Sequence, residues 1–290
     1  MFKKLIATGT LLAAVSGFAC TIEGSEGFLP ENDLFISKDA KSINTMDEAS
    51  FNAVIDKVVA IYEPIIASFG ATLNVDRNWE DGTVNAYAQQ NGTVWNVAMF
   101  GGLARHAAIT EDGFALVVCH EVGHHIGGAP KKKSWFGSRW ASNEGQADYF
   151  ATSKCLRKAF RGENNAKIVK TLNVPEVVVN KCAEQYTSEE ERLICQRGAM
   201  AGMSTAKLFQ NLRSSTVVPD FTTPDAKVAS KTDDNHPATQ CRLDTYYSGA
   251  LCAISDSVDV DQADEAVGVC YRASGDTVGV RPLCWFAPAK

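Results

Sequence analysis

The residues most able to do chemistry lie in Cys119-His120-Glu121-Val122-Gly123-His124-His125, which contains H-E-x-x-H from His120 to His124. On a helix, side chains four apart share one face, one turn above the other. Two imidazoles so placed can bind one Zn²⁺ at about 2.0–2.1 Å each. Glu121 then stands where it can take a proton from the water on the metal. A short pattern of this kind also arises by chance, so its surroundings carry weight. Gly113 to Cys119 is a nearly continuous apolar run, as a buried helix requires. Asp112 is expected to cap its start, and Gly127-Gly128 to end it.

A zinc site needs a third protein ligand. In the pattern H-E-x-x-H-x-x-G-x-x-H, Gly127 fits, but Pro130 stands at the ligand position, and proline cannot bind a metal. The other source is a carboxylate on a following helix. Asn143-Glu144-Gly145-Gln146-Ala147-Asp148 supplies Glu144 and Asp148 on one helical face, with Tyr149, Phe150 and Ala151 as its apolar side. Glu144 is the expected third ligand, and Asp148 is expected to orient a ligand histidine. The alternative is an ordinary solvated acidic pair.

The elements that must position these residues are legible upstream. Thr45-Met46-Asp47-Glu48 reads as a capping box. Behind it, Phe51, Val54, Ile55, Val58, Val59, Tyr62, Ile65, Ile66 and Phe69 fall at helical spacing, ending at Gly70. Three strand-like runs follow, over 71–75, 83–89 and 93–100, and Asn91-Gly92 marks a hairpin between the last two. The run from Val94 to Gly101 is the candidate edge strand, able to hold an extended peptide by backbone pairing; a buried strand is the alternative. His106 reads as structural.

The order Asn85-Ala86-Tyr87-Ala88, hairpin, H-E-x-x-H, Glu144-x-x-x-Asp148, and then His236-Pro237 with Arg242, resembles the CAAX prenyl protease-type gluzincin family. The resemblance runs from about Asn85 to Leu251. It implies that His120, His124 and Glu144 bind Zn²⁺ and that Glu121 is the general base. It further implies that Arg242 holds the acidic helix by pairing with Asp148. His236 would approach the metal, either plugging the resting site or stabilising an oxyanion; a plain loop histidine is the alternative.

Between these elements, 164–213 reads as a helical insertion, either a lid or more core. Residues 214–234 read as a mobile loop delivering His236, and 240–253 as a helix.

The formal net charge of -6 argues against a nucleic-acid partner. Lys131-Lys132-Lys133 with Trp135, Arg139 and Trp140 is the one dense basic patch and reads as a solvated loop. Residues 1–19 read as a signal peptide, with Lys3 and Lys4 before a short apolar stretch. Cys20 follows and is a candidate lipid anchor, although Gly17 replaces the usual leucine. The chain has nine cysteines, an odd number, and setting Cys20 aside leaves pairs suited to an oxidising compartment. Cys119 is expected to staple Cys155, and Cys270 to pair with Cys284.

The expected fold is α+β and zincin-like, mostly helical, with a small antiparallel sheet beside the active-site helix. The expected divisions are a signal peptide over 1–19, a tether over 20–44, a metallopeptidase domain over 45–253 and a disulfide-bearing extension over 254–290. No transmembrane helix is expected in the mature chain. The expected function is zinc-dependent cleavage of polypeptide substrates in the periplasm or at the outer membrane of a bacterium. The alternatives are a zinc-stabilised but inactive binding or chaperone-like lipoprotein, and a disulfide-built lipoprotein with no metal.

Overall fold

The computed structural model describes residues 26–40, 44, 46–134, 137–213 and 215–288. The expected signal peptide and Cys20 lie outside them, as do Thr45 and Trp135.

The chain enters through β1 (Glu26–Gly27), then α1 (Glu48–Ser68), β2 (Thr72–Asn78), β3 (Ala86–Asn91), β4 (Val94–Phe100), α2 (Gly101–Ala104) and α3 (Glu111–Ile126). A hairpin of β5 (Lys131–Ser134) and β6 (Gly137–Ser142) leads to α4 (Glu144–Phe150), which runs through a π-helical turn (Ala151–Cys155) into α5 (Leu156–Phe160). Then come α6 (Asn165–Val169), α7 (Glu176–Gln185), α8 (Glu189–Leu212) and α9 (Thr239–Leu251). The class is mixed α+β.

The cap of α1 falls on Asp47, whose side chain accepts from Ser50 N–H while Ser50 Oγ answers to the Asp47 backbone. This displaces the expected box by two residues. The helix continues through Pro64 and buries Phe51, Val54, Ile55, Val58, Tyr62 and Ile66, the stripe that its spacing dictates.

The larger sheet has strand order β1-β3-β4-β2. β3 and β4 form the expected hairpin, with Gly92 at φ 60° where its turn needs a positive φ. Two expectations fail here. The sheet is mixed, because β2 leaves α1 and runs parallel to β4. β4 is consequently an inner strand, paired on both sides, and cannot offer a free edge to a peptide.

Every residue of α3 from Gly113 to Ile126 is buried, so this helix is the centre of the molecule. Thr110 caps it, accepting from Gly113 N–H at 3.0 Å. Asp112 lies within the first turn, two residues past the cap, and pairs instead with Arg197 of α8 at 2.7 Å. Around α3 stand α1, α4, α8 and the sheet. α8 buries Ala199, Ala201, Ala206, Leu208 and Phe209, so the insertion is core and not a lid.

Disulfides join Cys119 to Cys155, Cys182 to Cys195, Cys241 to Cys284 and Cys252 to Cys270. The first is the expected staple between α3 and the π-turn. The expected Cys270–Cys284 bond is absent: each of these cysteines bonds back to α9 or its end, wrapping the tail round that helix. Trp285 and Phe286 pack in a second cluster with Tyr149 and Cys241, and Trp285 lies so close to Gly145 that a Cβ there would meet its ring at 2.3 Å. The C-terminal stretch therefore backs α4 and is no loose extension. The stretch read as a tether behaves likewise, with Phe28 and Leu29 in the main core. Among the described residues no helix is long and apolar enough to cross a membrane.

Candidate metal centre

α3 and the start of α4 meet at three side chains. His120 Nε2 lies 3.3 Å from Glu144 Oε2, and His124 Nε2 lies 3.6 Å from Glu144 Oε1. Helical spacing sets the two imidazoles edge to face, with ring centroids 4.7 Å apart and planes crossing at 87°. Glu144 is the first residue of α4, set there by the Asn143 cap, which accepts from Gln146 N–H at 2.9 Å.

Each histidine is aimed from behind. His124 Nδ1 donates to the Ser142 carbonyl at 2.9 Å, which leaves the Nε2 lone pair facing Glu144. His120 Nδ1 lies 2.7 Å from Asp148 Oδ1. That oxygen also accepts from Arg242 Nη2 at 2.6 Å and Tyr246 OH at 2.9 Å. Arg242 is fully buried, its guanidinium 4.0 Å from the Phe209 ring and 4.7 Å from the Phe28 ring. A buried guanidinium needs such partners.

The site could hold a metal ion. His120 Nε2, His124 Nε2 and Glu144 Oε2 are buried and without a hydrogen-bond partner, and the three residues offer ligand atoms within 4.8 Å of one another. Unsatisfied polar atoms this deep are costly unless something binds them. A second grouping, Asp225 with Cys241 and Cys284, offers no thiolates because its cysteines share a disulfide.

Electrostatics separates the roles. Burial pushes the Glu121 carboxyl up, to about 8, against the pull of His120, and neither of its oxygens has a partner. Burial holds His124 well below the usual imidazole range, so it is neutral and able to ligate. For His120 burial also acts downward, but the Asp148 and Glu144 carboxylates outweigh it and raise the ring to about 9, so a metal bound at Nε2 has to displace a proton from that ring. Burial opposes ionisation of Glu144, yet Lys132, His236 and His124 together hold it well below the carboxylate range.

His236 is brought to the centre: its Nε2 donates to the Gly27 carbonyl at 2.8 Å and lies 3.3 Å from Glu144 Oε2. His106 accepts a bond from Ala108 N–H and takes no part. The neighbouring His125 is stacked between Trp95 and Trp140 and bonded to the Asn96 carbonyl, and burial lowers it to about 4.

Sequence reasoning missed Lys132 and Tyr246. The basic patch is not wholly solvated. Lys132 is only 6% exposed and its Nζ donates to Glu144 Oε1 at 2.9 Å, while Lys131 reaches Gln262 Oε1 at 2.6 Å. Nothing in its local sequence marks Lys132, which the rest of the β5–β6 hairpin separates from α4. For Tyr246 the signal was its spacing, one helical turn after Arg242. No family model, curated protein or solved structure matches this chain.

Proposed function

We propose that the chain is a zinc-dependent endopeptidase of the bacterial cell envelope, a zincin-like member of the CAAX prenyl protease-type gluzincins. The observation that carries this reading is the convergence of His120 Nε2, His124 Nε2 and the Glu144 carboxylate, all buried, beside the unpartnered Glu121 carboxyl. Two imidazoles and one carboxylate are a catalytic zinc donor set, whereas structural zinc sites lean on cysteine. When bound, the ion supplies a Lewis acid for a carbonyl and lowers the pKa of a water toward about 7.

The chain's own groups supply the rest. Glu121, whose carboxyl oxygens bond no neighbour, acts as the carboxylate that accepts a proton. It takes one from the attacking water and gives it to the departing amine. Asp148, itself fixed by Arg242 and Tyr246, keeps the His120 ring turned toward Glu144. His236 presents an Nε2–H that already bonds a peptide carbonyl, that of Gly27, and it stabilises charge developing on a substrate carbonyl in the same way. Four disulfides suit an oxidising compartment. Together with the signal-like leader they support export to the periplasm or outer membrane, with Cys20 as the lipid anchor.

The test is Glu121→Gln. It should retain stoichiometric zinc and lose cleavage of unfolded protein. Casein cleavage at the wild-type rate by that variant would remove Glu121 from the mechanism.

A second reading is favoured by one observation: His120, Glu121, His124 and Glu144 are at most 2% exposed, with His236 and Lys132 both at Glu144. On this reading the chain is a zinc-stabilised binding or chaperone-like module with a closed site. Bound zinc without turnover in both wild type and His236→Ala would select it.

A further inference from the structure

The outer edge of β3 is covered by the start of the described chain. Glu26 and Gly27 pair antiparallel with Ala88 and Tyr87, and Phe28 N–H donates to the Ala86 carbonyl at 2.9 Å. The same short stretch crosses the metal centre. The Gly27 carbonyl takes the His236 Nε2 bond, and the Phe28 carbonyl accepts from Arg242 Nη1 at 3.1 Å. The Phe28 ring meets the His120 ring edge-on at 5.0 Å. Asn85 grips Leu29 on both sides, accepting its N–H at 2.9 Å and donating to its carbonyl at 3.1 Å. An extended backbone, read through its amides and carbonyls at a sheet edge, is how a peptide is bound by strand addition. At Gly27 a Cβ would come within 2.6 Å of the Asn85 amide and 2.8 Å of the Tyr87 ring, so the register admits only glycine.

We propose that Glu26–Gly27 is an internal occupant of the strand position where an extended polypeptide substrate docks, and that it must leave β3 before cleavage. This rests on the peptidase reading above. Phe28 and Leu29 are anchored in the core and act as the hinge. Gly27 is partly exposed, and a two-residue strand at a sheet edge belongs to the low-stability end of a fold. The other edge of the sheet, β2, is separated from β3 by β4 and does not reach His236. With β1 displaced, a substrate pairs antiparallel with β3, and a substrate carbonyl takes the place of the Gly27 carbonyl on His236.

The test uses the full chain loaded with zinc, as wild type and Gly27→Val, with folding checked by circular dichroism and metal content by elemental analysis. Each is titrated calorimetrically with a peptidyl hydroxamate, a zinc-directed mimic of an extended substrate. Gly27→Val, whose side chain pushes β1 off β3, is expected to bind it at least about tenfold tighter. Equal or weaker binding overturns the proposal. Wild type gives a second readout that needs no variant to fold: saturating hydroxamate should raise deuterium uptake several-fold in the segment that holds the Phe28 amide, whose bond to the Ala86 carbonyl opens as β1 leaves β3. Unchanged or reduced uptake there overturns the proposal as well. Neither readout depends on turnover. A chain that shows both shifts but cleaves nothing defeats the peptidase reading alone. A chain that cleaves and shows neither shift defeats the occupant alone, and one that binds no zinc defeats both.

Discussion

His120 Nδ1 lies 2.7 Å from Asp148 Oδ1, and that one carboxylate oxygen is shared with Arg242 and Tyr246. The ligand face of His120 is thus set by a residue on α4, and α4 is set by α9. The centre is a junction of three helices and not a property of α3 alone.

Asp148→Asn should weaken zinc binding about 10–100-fold, the usual cost of losing an anionic partner behind a ligand histidine. It also leaves the buried Arg242 charge without its carboxylate, so stability should fall by about 3–5 kcal/mol. Chelator competition reads the first effect and urea unfolding the second. Unchanged zinc affinity in a folded variant would contradict the orienting role.

Lys132→Met removes the ammonium that lies on Glu144 Oε1. With metal stripped by EDTA, the buried carboxylate loses its nearest cation, and stability should drop by about 3 kcal/mol. Added zinc should close most of that gap by supplying positive charge to the same carboxylate. Thermal unfolding with and without zinc checks this; an equal loss in both conditions would mean that Lys132 acts only through packing.

Cys155→Ser opens the bond between the middle of α3 and the π-turn, which closes a loop of 36 residues. The expected loss is about 2–5 kcal/mol. Because Cys119 adjoins His120 and the π-turn continues α4, zinc affinity should fall too. Denaturant unfolding and zinc titration of the variant give both numbers.

Acid should loosen the molecule away from the metal centre. Burial raises the cost of ionising Glu163, but Lys57 and Arg197 outweigh it and hold its pKa below the ordinary 4.5. Asp256 is held down by Arg161 in the same manner, against its burial. A carboxylate whose folded pKa lies below its unfolded one binds protons more readily when unfolded. Its contribution is complete above about 4.5 and is lost as pH falls through the folded value. Melting curves of metal-free protein from pH 6 to pH 3 should show this decline, and Glu163→Gln should flatten it.

What the sequence determined by itself was local. Two histidines four apart must share a helical face, and a glutamate and an aspartate four apart must do the same, whatever surrounds them. The α1 stripe follows from the same short-range periodicity, and the Asn91-Gly92 hairpin from turn chemistry equally local. Tertiary structure alone decided what each face meets. β2 lies parallel to β4 and takes its edge because α1 returns the chain beside that strand. Lys132 leaves a lysine run for the interior because Glu144, fully buried, draws a cation. Cys270 and Cys284 part company because α9 lies between them, with a cysteine near each end. Gly27 and Phe28 look like linker, yet they lie against His236, Arg242 and His120. Backbone geometry propagates only over neighbouring residues, whereas burial and charge neutralisation are settled between segments far apart in the chain. The ligand pair could therefore be read in advance, and the groups that enclose it could not.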